Sequence, residues 1–232
     1  EQLTASQLVE LLNEYLTAMT QIILDNGGTV DKYIGDAIMA FYGAPIEVKN
    51  HEYKAVLSVV QMNLKLKELR KKWDSEGDKW PDLVKNMQHR IGINTGNLVT
   101  GNMGSELQMN YTCMGDTVNL GARLESGAKH WGIDVQVAHS VYESTKDYFI
   151  YRKLGSIRVK GKEEPIKVYE LICQKGKESK SITNLLNKFE LARKLYLEKK
   201  WDKAIEAFNK CDKLEDMSYL RHINPSQTYI KI

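Results

Sequence analysis

Three segments of the sequence combine glycine with charged residues in patterns suited to a phosphate-bearing ligand. In the first, Asp36 follows Gly35 between two short β-prone runs, which predicts a carboxylate at a hairpin tip. A hard cation such as Mg²⁺ takes one or two such carboxylates together with phosphate oxygens. Taken alone, an aspartate that satisfies its own turn backbone is commoner, and Lys32 in the preceding strand is typical of a solvated surface lysine.

The second segment carries an amide and a guanidinium on one predicted helix. Asn119 and Arg123 are four residues apart, so they share a helix face. Such a pair could orient a ribose and hold a phosphate. In isolation, an ordinary polar helix surface is the favoured interpretation.

The third segment places a lysine next to a glycine. Lys160 precedes Gly161, where an ammonium group could meet a phosphate close to the backbone. A charged hairpin turn explains this pattern equally well.

Local signals predict the elements that position the first segment. Thr4 and Gln7 form a capping box, and apolar residues at helical spacing follow it up to a glycine pair. Thr29–Ile34 and Ala37–Tyr42 then predict two strands joined by a two-residue turn.

Signals for the rest of the main domain are weaker. Asn50 is expected to cap a helix ending near Trp73, followed by a polar surface loop over residues 74–86. Gln88–Thr95 and Leu98–Asn102 are expected to pair as a second hairpin. The later predicted elements are a helix from Asp116 to about His130, a strand Ile133–Ala138, a short helix at Ser140–Glu143, and strands Phe149–Lys160 and Ile166–Cys173. Helices mixed with hairpins indicate an α+β sandwich, not a doubly wound sheet.

The end of the chain differs in composition from the main domain. Residues 174–181 contain no apolar side chain and are predicted to be a linker. Small and aromatic residues at helical offsets in residues 182–232 are similar to one tetratricopeptide-like helix pair. A plain helical hairpin packed on the main domain is an equally good interpretation, because one repeat cannot stack on itself.

Composition and charge exclude several classes of protein. The 232 residues carry a net charge of +3, which is too mild for a protein that wraps nucleic acid. No apolar run approaches the roughly 20 residues of a membrane helix. Three separated cysteines, without a CxxC pair, indicate a reduced intracellular protein. We expect a cytoplasmic domain and leave membrane anchoring of a parent protein open.

Taken together, the three segments resemble the catalytic domain of the class III nucleotidyl cyclases, the adenylate and guanylate cyclases. The likeness rests on Lys-x-x-Gly-Asp at residues 32–36 and Gly-Asp-x-Val-Asn-x-x-x-Arg-Leu-Glu at residues 115–125. It covers about Glu1 to Leu171 and implies a ferredoxin-like α+β catalytic domain over residues 1–173. The implied reaction converts ATP to cyclic AMP and pyrophosphate.

The resemblance also implies the roles of individual residues. It places six residues in the site: the metal ligand Asp36, the purine-reading pair Lys32 and Thr112, the transition-state pair Asn119 and Arg123, and Lys160, which reaches the terminal phosphates. The implied cofactor is Mg²⁺, two ions per site, with Mn²⁺ as a substitute. The implied partners are ATP and a second copy of the chain, in a homodimer with composite active sites. Nucleic acid is not an expected partner, and the helical tail is open to contacts with another domain or protein.

The sequence departs from the family pattern at its start. The first metal aspartate of the family lies in a Phe-x-Asp-Ile-x-Gly-Phe-Thr stretch, which we expect just upstream of Glu1. That stretch and the first strand are absent from this chain. We expect the parent protein to contain them, because Asp36 alone would hold Mg²⁺ poorly.

The purine-reading pair favours adenine. A lysine can only donate, which suits the N1 acceptor of adenine, and a threonine hydroxyl can accept from the exocyclic amine. Guanylate cyclases of the family usually carry Glu and Cys at these positions. Thr112 also resembles the bicarbonate-responsive subclass. Two alternatives stay open: a guanylate cyclase, and a catalytically inactive cyclase homologue that acts as a dimerising regulatory module. A diguanylate cyclase lacks support, because its Gly-Gly-Asp/Glu-Glu-Phe signature is absent.

Overall fold

The computed structural model describes residues 2–158, 164–215 and 223–232. The helices are α1 (Ala5–Asp25), α2 (His51–Ser75), α3 (Asp82–Lys85), α4 (Asp116–Trp131), α5 (His139–Thr145), α6 (Lys180–Leu197), α7 (Trp201–Asp212) and α8 (Pro225–Lys231). The strands are β1 (Gly28–Ile34), β2 (Ala37–Tyr42), β3 (Ile91–Ile93), β4 (Val99–Ser105), β5 (Gln108–Met114), β6 (Val135–Ala138), β7 (Phe149–Ile157) and β8 (Ile166–Gln174). This arrangement confirms the predicted α+β class.

The chain divides into two compact units. One comprises Glu1–Gln88 and Thr95–Leu120, and the other comprises His89–Asn94 and Gly121–Ile232. The division falls inside α4, so this helix contributes its first residues to one unit and the rest to the other.

The first unit is built on α1, α2 and two hairpins. The predicted capping box starts α1, with the Gln7 amide donating to Thr4 Oγ1 at 3.2 Å and the Thr4 amide donating to Gln7 Oε1 at 2.9 Å. Helices α1 and α2 pack on each other and against the first hairpin, and Met19 and Trp73 are among their buried side chains. Tyr42 Oη donates to Ser58 Oγ at 2.7 Å and ties β2 to α2.

The second hairpin differs from the prediction. β4 pairs antiparallel with β5, from Val99 opposite Met114 to Ser105 opposite Gln108. β3 lies instead in the sheet of the second unit, where Ile91–Ile93 pairs parallel with β6. The predicted pairing of Gln88–Thr95 with Leu98–Asn102 is therefore wrong, because each segment has a partner later in the chain.

Residues 74–86 also differ from the prediction. They contain a 3₁₀ turn (Gly77–Lys79) and α3. Trp80 and Val84 are buried, so this segment contributes to the core and is not a polar surface loop. Asn50 does precede α2, but its side chain makes no capping hydrogen bond.

The second unit contains a four-stranded mixed sheet in the order β3-β6-β8-β7. Only the β3–β6 pair is parallel. Helices α6, α7 and α8 belong to the same unit, and Tyr229 on α8 stacks on Phe208 of α7 with ring centroids 4.6 Å apart. Tyr229 Oη donates to the Leu154 carbonyl of β7 at 2.6 Å. In the described residues, every helix is too short or too polar to cross a membrane.

Candidate active site

The β1–β2 hairpin positions two of the predicted site residues. Lys32 lies in β1, and Asp36 lies in the turn between the strands. Gly35 adopts a φ of 63°, the left-handed conformation that glycine enters without a steric penalty. This turn presents Asp36 as an exposed carboxylate at the hairpin tip, as the sequence predicts.

Asp31 is the extra residue of a β-bulge in β1. Val30 lies opposite Ala40 and Lys32 lies opposite Met39, so the pairing skips Asp31. Neighbouring side chains of a regular strand point to opposite faces, whereas a bulge re-aims one of them. The bulge therefore accounts for the 3.3 Å approach of Lys32 Nζ to Asp31 Oδ1.

The Asp31 carboxylate also joins β1 to β5. Thr112 Oγ1 donates to Asp31 Oδ2 at 2.5 Å, and the Cys113 amide donates to the same oxygen at 3.2 Å. The Asp31 side chain has no exposed surface, while that of Lys32 is 47% exposed. The structure thus brings the predicted pair, Lys32 and Thr112, onto one buried carboxylate.

Hydrogen bonds keep this buried carboxylate ionised. Burial acts to raise the pKa of Asp31, but donation by Thr112, the Cys113 amide and Lys32 outweighs it, so the pKa lies below its ordinary value. Burial and the negative charge of Asp31 raise the pKa of the Cys113 thiol. The thiol therefore ionises less readily than an ordinary cysteine.

Asp36 supplies a single carboxylate. Its charge is felt by Tyr15 on α1, whose pKa is raised to about 12, first by burial and then by Asp36. Across the described residues, no group of three or more His, Cys, Asp or Glu side chains is arranged to hold a metal ion. Mg²⁺ usually takes one or two carboxylates, with water and phosphate oxygens as the other ligands, so Asp36 suits it as one ligand of a larger set.

Helix α4 carries the second predicted pair. Gly115 leads into the helix with a φ of 144°, and Asp116 is its first residue. Asn119 and Arg123 are both exposed and lie one turn apart, so they share a face of α4 as predicted.

A glycine in β3 allows α4 to pack closely on this strand. A Cβ atom on Gly92 would lie 2.2 Å from the Gly121 carbonyl oxygen and 2.3 Å from the Glu125 amide nitrogen. Real Cβ atoms do not approach backbone so closely, so α4 can lie against β3 only because residue 92 has no side chain. The predicted residue Lys160 lies outside the described residues.

Comparison with known proteins decides the family. Residues 1–173 match the adenylate and guanylate cyclase catalytic domain. The chain belongs to this family. The cyclase domain is 28% identical to adenylate cyclase 1 of Rhizobium meliloti (strain 1021) over 166 residues, which cover 72% of this chain and 24% of that protein.

Solved cyclases share the fold. The adenylyl cyclase CyaB from P. aeruginosa superposes with a TM-score of 0.66 at 33% identity, covering 77% of this chain and 88% of that one. The guanylyl cyclase Cya2 superposes with a TM-score of 0.63 at 28% identity, covering 77% and 86%. The chain spans between 10% and 32% of the length of the first curated relatives it matches.

The cyclase domain contains one site residue that sequence reasoning missed. Regular strand alternation places Asp31 and Lys32 on opposite faces, so the sequence pattern does not indicate their contact. One signal was available, since aspartate is depleted in strands and an acidic residue there calls for a partner.

Proposed function

We propose that this cyclase domain is an adenylate cyclase that converts ATP into 3′,5′-cyclic AMP and pyrophosphate. The observation that carries the proposal is the meeting of Lys32 and Thr112 on the Asp31 carboxylate. Their shared contact places the two side chains close enough to bind the same ligand. An ammonium donor beside a hydroxyl acceptor complements N1 and the exocyclic amine of adenine.

The remaining proposed residues handle the ribose and the phosphates. The ribose 3′-oxygen attacks the α-phosphorus while the bond from that phosphorus to the bridging oxygen of the β-phosphate breaks. Pyrophosphate leaves and the hydroxyl proton passes to solvent. Asn119 orients the ribose, Arg123 binds the charge that develops on the α-phosphoryl oxygens, and Lys160 holds the terminal phosphates.

Asp36 fits a role as a ligand of a divalent ion. Two Mg²⁺ ions per site, with Mn²⁺ as a substitute, are proposed, with Asp36 as one member of the ligand set. When bound, such ions supply Lewis acidity that eases ionisation of the 3′-hydroxyl and offsets the triphosphate charge. Asp36 contributes an exposed carboxylate oxygen at the tip of the first hairpin.

The proposed assembly is a head-to-tail homodimer. Its two composite sites each take metal ligands from one chain and Lys32, Thr112, Asn119 and Arg123 from the other. Two-fold symmetry makes the two sites equivalent.

Bicarbonate activation is the proposed regulation, because Thr112 resembles the bicarbonate-responsive subclass. Initial rates with sodium bicarbonate and with sodium chloride, at equal ionic strength and fixed pH, test it. A higher rate with bicarbonate is expected, and equal rates would remove the proposal while leaving the cyclase activity intact.

Product analysis of the full-length protein tests the activity itself. The protein is incubated with Mg²⁺ and either ATP or GTP, and the cyclic nucleotides are separated by chromatography. Cyclic AMP as the main product is expected. Cyclic GMP as the main product would favour the guanylate cyclase alternative, which the likeness to Cya2 keeps in view. No product with either nucleotide would favour the inactive regulatory module.

A double substitution tests the purine-reading pair. Lys32→Glu with Thr112→Cys replaces the donor by an acceptor and removes the hydroxyl. We expect kcat/KM for ATP to fall roughly ten- to a hundredfold, because an unpaired polar group in the site is costly. Use of GTP is expected to fall less or to rise. A variant that keeps the parental ratio of ATP to GTP use would show that the purine lies elsewhere.

A further inference from the structure

Asp31 contacts both of the residues proposed to read the purine, yet its own side chain is not exposed to a ligand in solution. Its side chain is completely buried at a β-bulge, with Thr112 on one oxygen and Lys32 on the other. We propose that Asp31 is a specificity-determining positioning residue, which fixes Thr112 as an acceptor and Lys32 as a donor and so selects adenine over guanine. This inference rests on the proposed function.

The hydroxyl of Thr112 has only one proton, and that proton is used in the hydrogen bond to Asp31. An ionised carboxylate can only accept, so Thr112 must be the donor in the 2.5 Å contact with Asp31 Oδ2. The lone pairs of Thr112 Oγ1 are what remains for a ligand. Without Asp31, the same hydroxyl could rotate and donate instead, because a free hydroxyl serves either role.

The ammonium group of Lys32 is restrained by the other carboxylate oxygen. Lys32 Nζ lies 3.3 Å from Asp31 Oδ1, and nearly half of the lysine side chain is exposed. The contact is an ion pair without hydrogen-bond geometry, so the three ammonium protons remain available to a ligand. A lysine side chain is flexible, so this restraint lowers the entropy lost when the ammonium group binds a purine.

The resulting pattern is a donor on half-exposed Lys32 beside an acceptor on largely buried Thr112. Adenine offers the complement, because its N1 accepts and its exocyclic amine donates. Guanine offers N1–H and a carbonyl oxygen, so each contact would pair two donors or two acceptors. Each unpaired contact is expected to lower binding roughly ten- to a hundredfold.

A purely structural role for Asp31 is the competing explanation. The carboxylate also accepts from the Cys113 amide and joins β1 to β5, so its loss would loosen the site. A loosened site lowers the use of ATP and GTP alike. Loss of the fixed donor and acceptor roles of Lys32 and Thr112 instead changes the ratio of ATP use to GTP use. The ratio of kcat/KM for ATP to that for GTP is therefore the readout.

The experiment compares Asp31→Ala with a matched structural control in the full-length protein. Phe41→Ala serves as the control, because buried Phe41 packs on Tyr111 at a centroid distance of 6.1 Å and so also links the first hairpin to β5. We expect Asp31→Ala to lower the ratio at least tenfold, and Phe41→Ala to lower both rates while the ratio stays within about twofold.

A mutant cycle then tests whether Asp31 acts through the pair. In a background that combines Lys32→Ala with Thr112→Val, adding Asp31→Ala is expected to leave the ratio unchanged, because the groups it positions are gone. An Asp31 effect of the same size in that background overturns the inference. If Asp31→Ala does not fold, Asp31→Asn replaces it. The amide still accepts from Thr112 but no longer attracts Lys32, so a smaller fall in the ratio is expected.

Binding separates the failure of this inference from the failure of the proposed function. 3′-Deoxy-ATP and 3′-deoxy-GTP lack the attacking hydroxyl, so calorimetry with Mg²⁺ measures their binding without turnover. A wild-type protein that makes no cyclic nucleotide refutes the activity, while the ratio of the two dissociation constants still tests Asp31. Suppose that the wild-type protein makes cyclic AMP and that Asp31→Ala has the same ratio of the two dissociation constants. That result overturns the inference about Asp31 but leaves the proposed activity intact. Failure to bind either analogue overturns both.

Discussion

Arg123 is the residue whose proposed contact strengthens during the reaction. It lies exposed on α4, one turn after Asn119, where a guanidinium can meet a phosphoryl group. Arg123→Ala is expected to lower kcat roughly 10²–10³-fold, the scale for removing one stabiliser of developing charge. KM should change much less, because the interaction is weaker in the ground state.

Steady-state kinetics with ATP measure this split. Arg123→Lys keeps the charge but loses the two-pronged geometry, so an intermediate loss is expected. Lys129→Ala, at an exposed position in the last turn of the same helix, is the matched control and should leave kcat unchanged. An effect of Arg123→Ala confined to KM would assign Arg123 to substrate binding only.

Residue-level reasoning from the sequence reached part of the site. Asp36 at the hairpin tip and the shared helix face of Asn119 and Arg123 follow from local spacing, and both arrangements are present. Asp31 and its contact with Thr112 do not follow, because the two residues are 81 positions apart and a bulge brings them together. Strand alternation contains no sign of a bulge.

At the scale of elements, the packing of α4 on β3 depends on residue 92 being a glycine. The β3 backbone lies directly under the helix at Gly121 and Glu125. Gly92→Ala must push α4 away from β3, so we expect a loss of roughly 1–3 kcal/mol in the free energy of unfolding. A displaced α4 also moves Asn119 and Arg123, so kcat should fall with stability.

Denaturant unfolding and ATP turnover, measured on the same preparations, check this prediction. Gly101→Ala is the matched control, because a Cβ atom on Gly101 in β4 would meet nothing within 4 Å. That variant should be as stable as the wild type or slightly more so. Equal stabilities of the two variants would contradict the close packing of α4 on β3.

Elements bounded by strong local signals were predicted well, and pairings between distant segments were not. The capping box of α1, the turn of the first hairpin and the start of α4 are confirmed. The partner of β3 is β6, more than forty positions along the chain, and nothing local to Ile91–Ile93 indicates it. The prediction of a polar surface loop over residues 74–86 gave too little weight to Trp80, because a large aromatic side chain favours burial.

At the scale of the whole molecule, a buried charge network ties the C-terminal helices to the sheet of the second unit. Arg152 of β7 contacts Glu170 of β8 and Glu215 after α7, each at 2.6 Å, and all three side chains are at most 9% exposed. Ser226 on α8 donates to Glu215 at 2.8 Å, and the Arg152 guanidinium lies 4.9 Å from the ring centre of Phe189 on α6.

Removing the Arg152 side chain should lower the free energy of unfolding far more than removing a surface lysine. Arg152→Ala leaves two carboxylates buried without their partner, so we expect the free energy of unfolding to fall by about 3–5 kcal/mol. Lys210→Ala is the control, because its ion pair with Glu206 on α7 is largely exposed and should contribute nothing measurable. Urea unfolding followed by circular dichroism measures both. Similar losses would mean that the helices are held by apolar packing alone.

The proposed homodimer predicts that two inactive variants restore activity when they are mixed. If metal ligands come from one chain and Arg123 from the other, Asp36→Ala and Arg123→Ala are each inactive or nearly so, because both sites carry a lesion. A mixed dimer collects both lesions in one site and leaves the other intact. Mixing the two full-length variants should therefore restore activity.

Random re-pairing makes about half of the dimers mixed, each with one intact site, so recovery should approach roughly a quarter of the wild-type rate. Recovery should grow with time and protein concentration, because it requires subunit exchange. The control mixes each variant with itself and should stay inactive. Exchange is followed independently with fluorescently labelled chains. Labelled chains that exchange fully at micromolar concentration without any recovery of cyclic AMP synthesis would require Asp36 and Arg123 to act within the same chain.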